Sequence, residues 1–153
     1  MEYRQLPKGK ESISIIGLGT ASIGAAGAKE VEAAVAMAAE NGINYFDMAS
    51  ADAAPFEAYG RALSGYRKQV YFQIHFGAEY SSGKYGWTLN LEQVKRSIDW
   101  QLKALKTDYI DFGFIHCIDE LADLEKFQAH GTLAYIQQLQ KEGVVRHIGL
   151  SSH

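Results

Sequence analysis

The sequence predicts an α/β fold in which five parallel strands and about four helices follow an N-terminal hairpin, as in the front part of a (β/α)8 or TIM barrel. Three observations carry that expectation. Strand-like apolar runs alternate with helical stripes along nearly the whole chain. The strands are almost continuously apolar, as strands of a parallel sheet covered on both faces are. The doubly wound alternative lacks its phosphate loop, because Gly17-Leu18-Gly19 runs on into Thr20-Ala21-Ser22 without the last glycine of that motif.

The elements follow in order. Tyr3 to Leu6 and Ser12 to Ile15, joined through Pro7-Lys8-Gly9-Lys10, read as a short hairpin. Ile16 to Gly19 is the first barrel strand. Val31, Ala34, Val35 and Ala38 repeat at helical spacing, and Asn41-Gly42 stops that helix. Ile43 to Asp47 is the second strand. Phe56, Tyr59 and Leu63 mark a second helix with Pro55 in its first turn. Val70 to His75 is the third strand. Leu91, Val94, Ile98, Leu102 and Leu105 form the strongest stripe, opened by Asn90 and Gln93 as a capping box. Tyr109 to His116 is the fourth strand, Leu133 to Glu142 a helix ended by Gly143, and Val144 to Ser151 the fifth strand.

At 153 residues the chain suits a single domain, residues 1–15 forming the hairpin and 16–153 the βα units. A formal charge of −3 gives no basic footprint, which argues against nucleic acid and anionic membrane as partners. No apolar run reaches the roughly 20 residues that span a bilayer, and no signal-like leader precedes the first element. Cys117 is the only cysteine, so no internal disulfide framework exists and the cytoplasm is the expected compartment.

In a parallel barrel, chemistry gathers where the strands' C-terminal ends open into βα loops. Here the second strand ends in Asp47, the third in His75, the fourth in His116, and the fifth in Ser151-Ser152-His153. Each has a plainer reading as a helix cap or a packed, hydrogen-bonded side chain. Their shared rim is what points to function. Asp47, His75, His116 and His153 are also suitable zinc ligands, so a metal-dependent barrel enzyme is a second reading.

Several segments resemble motifs of the aldo-keto reductase family, in order along the whole chain. They are Ile16-Gly17-Leu18-Gly19-Thr20, Asn44-Tyr45-Phe46-Asp47-Met48-Ala49, Leu105 to Asp111 running on to Ile115-His116, and Gly143 to Ser152. The resemblance covers only a little over half of a typical family barrel. A Gln73-Ile74-His75-Phe76-Gly77 third strand and the Arg146 to His153 ending are similar to a divergent branch, many of whose members carry a C-terminal ferredoxin-like extension. Iron–sulfur binding needs several cysteines, and Cys117 stands alone.

The resemblance implies reduction of an aldehyde or ketone, or the reverse alcohol oxidation, with hydride from a nicotinamide cofactor, usually NADPH. The family's site pairs a proton-donating tyrosine with a lysine, an aspartate and a histidine. Asp47 falls at the aspartate and His116 at the histidine. Asp52 stands in the tyrosine's place, Tyr59 lies further on, at a position that normally packs a helix face, and the third strand carries His75 where the lysine belongs. An ionised Asp52 cannot donate a proton, whereas His75, with an ordinary histidine pKa near 6.5, can. Lys84 reads as a solvated loop residue, Cys117 as a small buried hydrophobe, and Trp87 as either pocket lining or loop packing.

The same resemblance gives Gly19, Thr20, Asp47, Ser151 and Ser152 as contacts for the nicotinamide end, while the phosphate clamp belongs to later strands. The expected chain is thus a truncated oxidoreductase, weakly active or inactive alone, with a small carbonyl or alcohol as substrate. A non-catalytic half-barrel serving in assembly is the third reading. Five strands leave two edges open and an apolar inner face uncovered, so a homodimer or a complementing barrel fragment is the expected partner.

Overall fold

A computed structural model describes residues 1–21 and 23–153. In chain order, β1 (Tyr3–Gln5) and β2 (Ser12–Ser14) are followed by β3 (Leu18–Gly19), α1 (Ala28–Glu40), β4 (Tyr45–Asp47), α2 (Ala54–Leu63) and β5 (Tyr71–Phe76). Then come β6 (Ala78–Glu79), β7 (Gly86–Trp87), α3 (Leu91–Ala104), β8 (Ile110–Ile115), α4 (Leu121–Ala129), α5 (Thr132–Lys141) and β9 (Val145–Leu150). Among the described residues no helix is long and apolar enough to cross a membrane.

β1 and β2 pair antiparallel, Tyr3 opposite Ser14, as the hairpin reading expected. β3, β4, β5, β8 and β9 form one parallel sheet, neighbours in space being neighbours in sequence apart from the β6–β7 excursion. A doubly wound sheet would reverse its strand order part-way across. This one does not, which is the progression of a barrel. The register aligns Gly19, Asp47, Gln73, Phe112 and His147 across all five strands.

Successive residues of each strand face opposite ways. Phe46, Phe72, Ile74 and Phe76 are fully buried beneath the helices with Val35, Tyr59, Leu63, Val94 and Ile98. Phe46 meets Tyr59 edge-on at 6.0 Å and Phe72 at 6.5 Å. Each such ring removed from water contributes about 1.5–3 kcal/mol, so this layer carries the fold.

The inner face differs from the apolar surface expected. Tyr45 donates to the Gln73 side-chain carbonyl, and His147 lies stacked on Phe112 at 5.2 Å. His147 also reaches Glu11, just before β2, at 2.7 Å, which ties the hairpin across the base of the sheet. These polar contacts stand among the Tyr45, Tyr71 and Phe112 rings, so the inner face is mixed rather than wholly apolar.

Five helices occur among the described residues rather than about four. The additional α4 buries only Phe127, so it shows no stripe; it is held at its start by Asp123, which accepts from the Glu120 N–H at 3.1 Å. The expected helix stops are real, Gly42 and Gly143 taking φ of 89° and 80°. At α3 half of the capping box forms. Asn90 accepts from the Gln93 N–H at 3.1 Å, while the Gln93 side chain turns to Thr88, whose hydroxyl oxygen takes the Asn90 N–H at 3.0 Å.

At the strands' N-terminal ends, Asp111 is 1% exposed and bonds Arg67 and Arg146, each at 2.8 Å, together with the Phe72 N–H at 3.0 Å. The two guanidinium groups lie on the Tyr109 ring, at 3.8 and 4.1 Å. This staple fastens β5, β8 and β9 at the end away from the polar strand tips.

Candidate active site

The parallel register puts Asp47, His75, His116 and Ser151 on one rim, because each stands at or just beyond the C-terminal end of its strand. Asp47 Oδ1 lies 2.8 Å from His75 Nε2. That carboxylate accepts a hydrogen bond from Nε2–H, which in a neutral ring leaves Nδ1 as a bare acceptor. His75 is 5% exposed, and its Nδ1 has no hydrogen-bond partner among the described residues. Its ring meets that of His116 edge-on at 4.8 Å.

His116 Nδ1 lies 3.2 Å from Ser151 Oγ, which also accepts the Cys117 N–H at 3.1 Å. On the other side, His116 Nε2 lies 3.0 Å from the Tyr85 hydroxyl. Burial, and then the nearby His75 and His153, push the His116 pKa down to about 4, so the ring is neutral near pH 7. A cavity of about 210 Å³ opens beside these groups, lined by His75, His116, Tyr80, Tyr85, Ala49 and Ala51. Burial raises the Tyr80 pKa to about 12 and also lifts that of Tyr85, so both hydroxyls keep their protons at neutral pH.

Tyr85 is the site residue that the sequence reading missed. It arrives on the loop after β5, whose β6–β7 hairpin folds back over the segment after β4. Ala53 N–H bonds Gly83 O at 3.0 Å, Tyr85 N–H bonds Ala51 O at 2.9 Å, and Asp52 pairs with Lys84 between them. The run Tyr80 to Tyr85, in a loop on the rim that carries Asp47, His75 and His116, was the available signal.

The other expected site residues fall variously. Asp52 is drawn to Lys84 Nζ at 2.6 Å, so its carboxylate secures this strap and does not line the cavity. Gly19 is paired with Asp47. Thr20 is fully buried, with its N–H and hydroxyl both turned to Asp47 O at 3.0 and 3.4 Å. Ser152 and His153 turn to Asp119, at 3.2 and 3.1 Å. Among the described residues no three His, Cys, Asp or Glu side chains come together as a metal-binding group. Tyr59 packs a helix face as read, its hydroxyl bonding Gly19 O at 3.1 Å. Trp87 packs edge-on against Phe127 at 6.0 Å, outside the cavity.

The model of the Aldo/keto reductase family matches residues 15–153. The chain belongs to the aldo/keto reductase family. Among curated aldo/keto reductase relatives and other oxidoreductases, it is 30% identical over 158 residues to an uncharacterised oxidoreductase of Bacillus subtilis (YqkF), covering 99% of this chain and 49% of that protein. It is 27% identical over 155 residues to a Schizosaccharomyces pombe aldo-keto reductase named with NADP(+), covering 94% of this chain and 44% of the relative. Among solved structures, an aldo-keto reductase from Bacillus halodurans in its holo form superposes with a TM-score of 0.79 at 27% identity, over 99% of this chain and 50% of that one. The chain spans about half the length of the curated relatives it matches.

Proposed function

We propose that this aldo/keto reductase chain carries the carbonyl-binding side of an NADPH-dependent oxidoreductase site acting on a small aldehyde, ketone or alcohol, in the cytoplasm. The observation that carries the reading is the His75–His116 pair on one wall of one cavity, with Asp47 bonded to His75 behind it. A bound nicotinamide would supply hydride to the carbonyl carbon. Asp47, Ser151 and Ser152 stand at the rim where its carboxamide would sit, and the Ser152 hydroxyl would have to leave Asp119 to reach it; the NADP(+) in the fission-yeast relative's name supports the cofactor.

Within that site Asp47 fixes the His75 ring, and His75 in turn sets the edge-on position of His116. Neutral His116, held between Ser151 and the Tyr85 hydroxyl, supports the developing oxyanion through Tyr85 and adds no net charge that would bind anions indiscriminately. With Nε2–H held by Asp47, the buried Nδ1 of His75 is left as an acceptor without a partner among the described residues. That differs from the donor role the sequence suggested.

Binding of cofactor by this chain alone is expected to be weak. Each charge-assisted bond absent from a phosphate clamp is worth roughly 1.5–3 kcal/mol. Titrating the chain with NADPH and following amide and ring resonances by NMR tests the proposal. Shifts concentrated at Asp47, His116, Ser151 and Ser152, with a dissociation constant near about 1 mM, are the expected result. Shifts confined to other surfaces, or none at several times that concentration, would overturn it. Robust NADPH oxidation with simple aldehydes by this chain alone would overturn the weak-activity expectation.

A further inference from the structure

We propose that Tyr85 is the residue that hydrogen-bonds the substrate oxygen and gives it a proton. The inference deepens the proposed carbonyl-reductase reading and rests on it for the identity of the substrate class. It stands on the direction in which one chain of hydrogen bonds has to run.

Ser151 Oγ already accepts the Cys117 N–H, so its own hydroxyl hydrogen needs an acceptor. The acceptor within reach is His116 Nδ1, at 3.2 Å. A neutral imidazole that accepts at Nδ1 carries its hydrogen on Nε2. Nε2–H then donates to the Tyr85 oxygen at 3.0 Å. The phenol is therefore an acceptor in its contact with His116, and its own hydrogen is left for something else. Tyr85 lines the cavity, so that hydrogen has the cavity as its outlet.

The phenol is also held in place. Its backbone is paired to Ala51, the Asp52–Lys84 pair adjoins it, and its ring meets Tyr80 edge-on at 6.1 Å. Tyr80 is itself stacked on Trp100 at 5.8 Å. Of the other hydroxyls on the cavity wall, Ser50 Oγ accepts the Asp52 N–H at 3.2 Å, but among the described residues only the Tyr85 hydroxyl is backed by the His116 ring. Tyr80 accepts only a long 3.4 Å bond from the Ser50 N–H.

The step balances as follows. A bound reduced nicotinamide would supply hydride, with its electron pair, to the carbonyl carbon, and the C=O π pair would move to oxygen. That oxygen takes the Tyr85 proton, leaving the O–H bonding pair on a phenolate. The carbonyl is reduced, the nicotinamide is oxidised, and His116 Nε2–H stabilises the phenolate until solvent at the mouth returns a proton.

Two measurements on this chain, neither needing turnover, test the assignment. The first is the ring ¹⁵N spectrum of His116 at pH 7, expected to show hydrogen on Nε2 and a bare Nδ1. Ser151→Ala is expected to shift this towards a mixture. Hydrogen on Nδ1 in the unaltered chain would mean that Tyr85 donates to His116, and would overturn the proposal. The second is titration with acetamide, whose carbonyl oxygen accepts without reacting. Tyr85→Phe is expected to weaken binding about 2- to 10-fold, the worth of one neutral hydrogen bond. Far-UV circular dichroism checks that the variant keeps its fold, and Tyr85→His, which restores a donor, is expected to recover part of the loss. Equal binding by Tyr85→Phe, or no acetamide binding up to molar concentration, would overturn the proposal. A failed NADPH titration beside a positive acetamide result would instead remove the cofactor reading and leave the Tyr85 assignment standing.

Discussion

His116 is neutral because burial and neighbouring histidines disfavour its charged form, and that has a consequence for stability. Its pKa is about 4 when folded, against an ordinary value of 6.5 for an exposed histidine. A group depressed on folding adds stability that is fully present above the unfolded value and is lost as pH falls through the folded one. Urea midpoints measured from pH 6.5 down to pH 5 should therefore fall, and fall less steeply in His116→Gln. Parallel slopes for the two proteins would show that His116 titrates freely. At this scale the sequence was informative where a residue ends a strand, because strand geometry alone fixes which rim it reaches. Asp47, His75 and His116 were legible for that reason. Tyr85 was not, because its position depends on a pairing between two loops that no periodicity encodes.

The loop that carries Tyr85 is fastened by two backbone bonds and one exposed ion pair, Lys84 being 75% exposed. Such a pair contributes about 0–1 kcal/mol, so Lys84→Ala should scarcely move the global unfolding midpoint. The same change should speed hydrogen exchange at the Ala53 and Tyr85 amides, which are the ones in the strap. Unchanged exchange there would mean the hairpin is held by its aromatic packing instead. The helices behave differently. A Cβ at Gly60 of α2 would lie 2.2 Å from Ala104 O and 2.8 Å from Leu105 Cα, both backbone atoms that cannot rotate away. Gly60→Ala should force α2 off the end of α3 and cost about 1–3 kcal/mol, read as a lowered urea midpoint. Long amphipathic helices such as α3 declared themselves in the sequence by their stripe. Nine-residue α4 could not, since one buried side chain makes no pattern.

Across the molecule, β3 and β9 are the outer parallel strands among the described residues, and Leu150 of β9 is 52% exposed. Unpaired strand edges invite pairing. A homodimer or a complementing barrel fragment on this side is our proposal for the partner, with an interface of about 2,000 Å² or more. Light scattering at low micromolar concentration checks it, a stable monomer being the adverse result. The staple at the opposite pole predicts a different sensitivity. Removing the Asp111 carboxylate strands Arg67, only 11% exposed, beside an unneutralised Arg146. Breaking such a buried pair costs about 3–5 kcal/mol, so Asp111→Ala should leave little folded protein at 37 °C.

That placement of Asp111 has an evolutionary corollary. The Asp111 staple and the groups that face the cavity sit at opposite ends of the same strands, with no side chain shared between them among the described residues. Lineages could therefore exchange the tyrosine-bearing loop for another, and with it the proton donor, while the buried carboxylate and its two arginines stay unchanged. In a saturation mutagenesis library of this chain, variants lost to unfolding and variants lost to impaired ligand binding should map to opposite poles of the sheet.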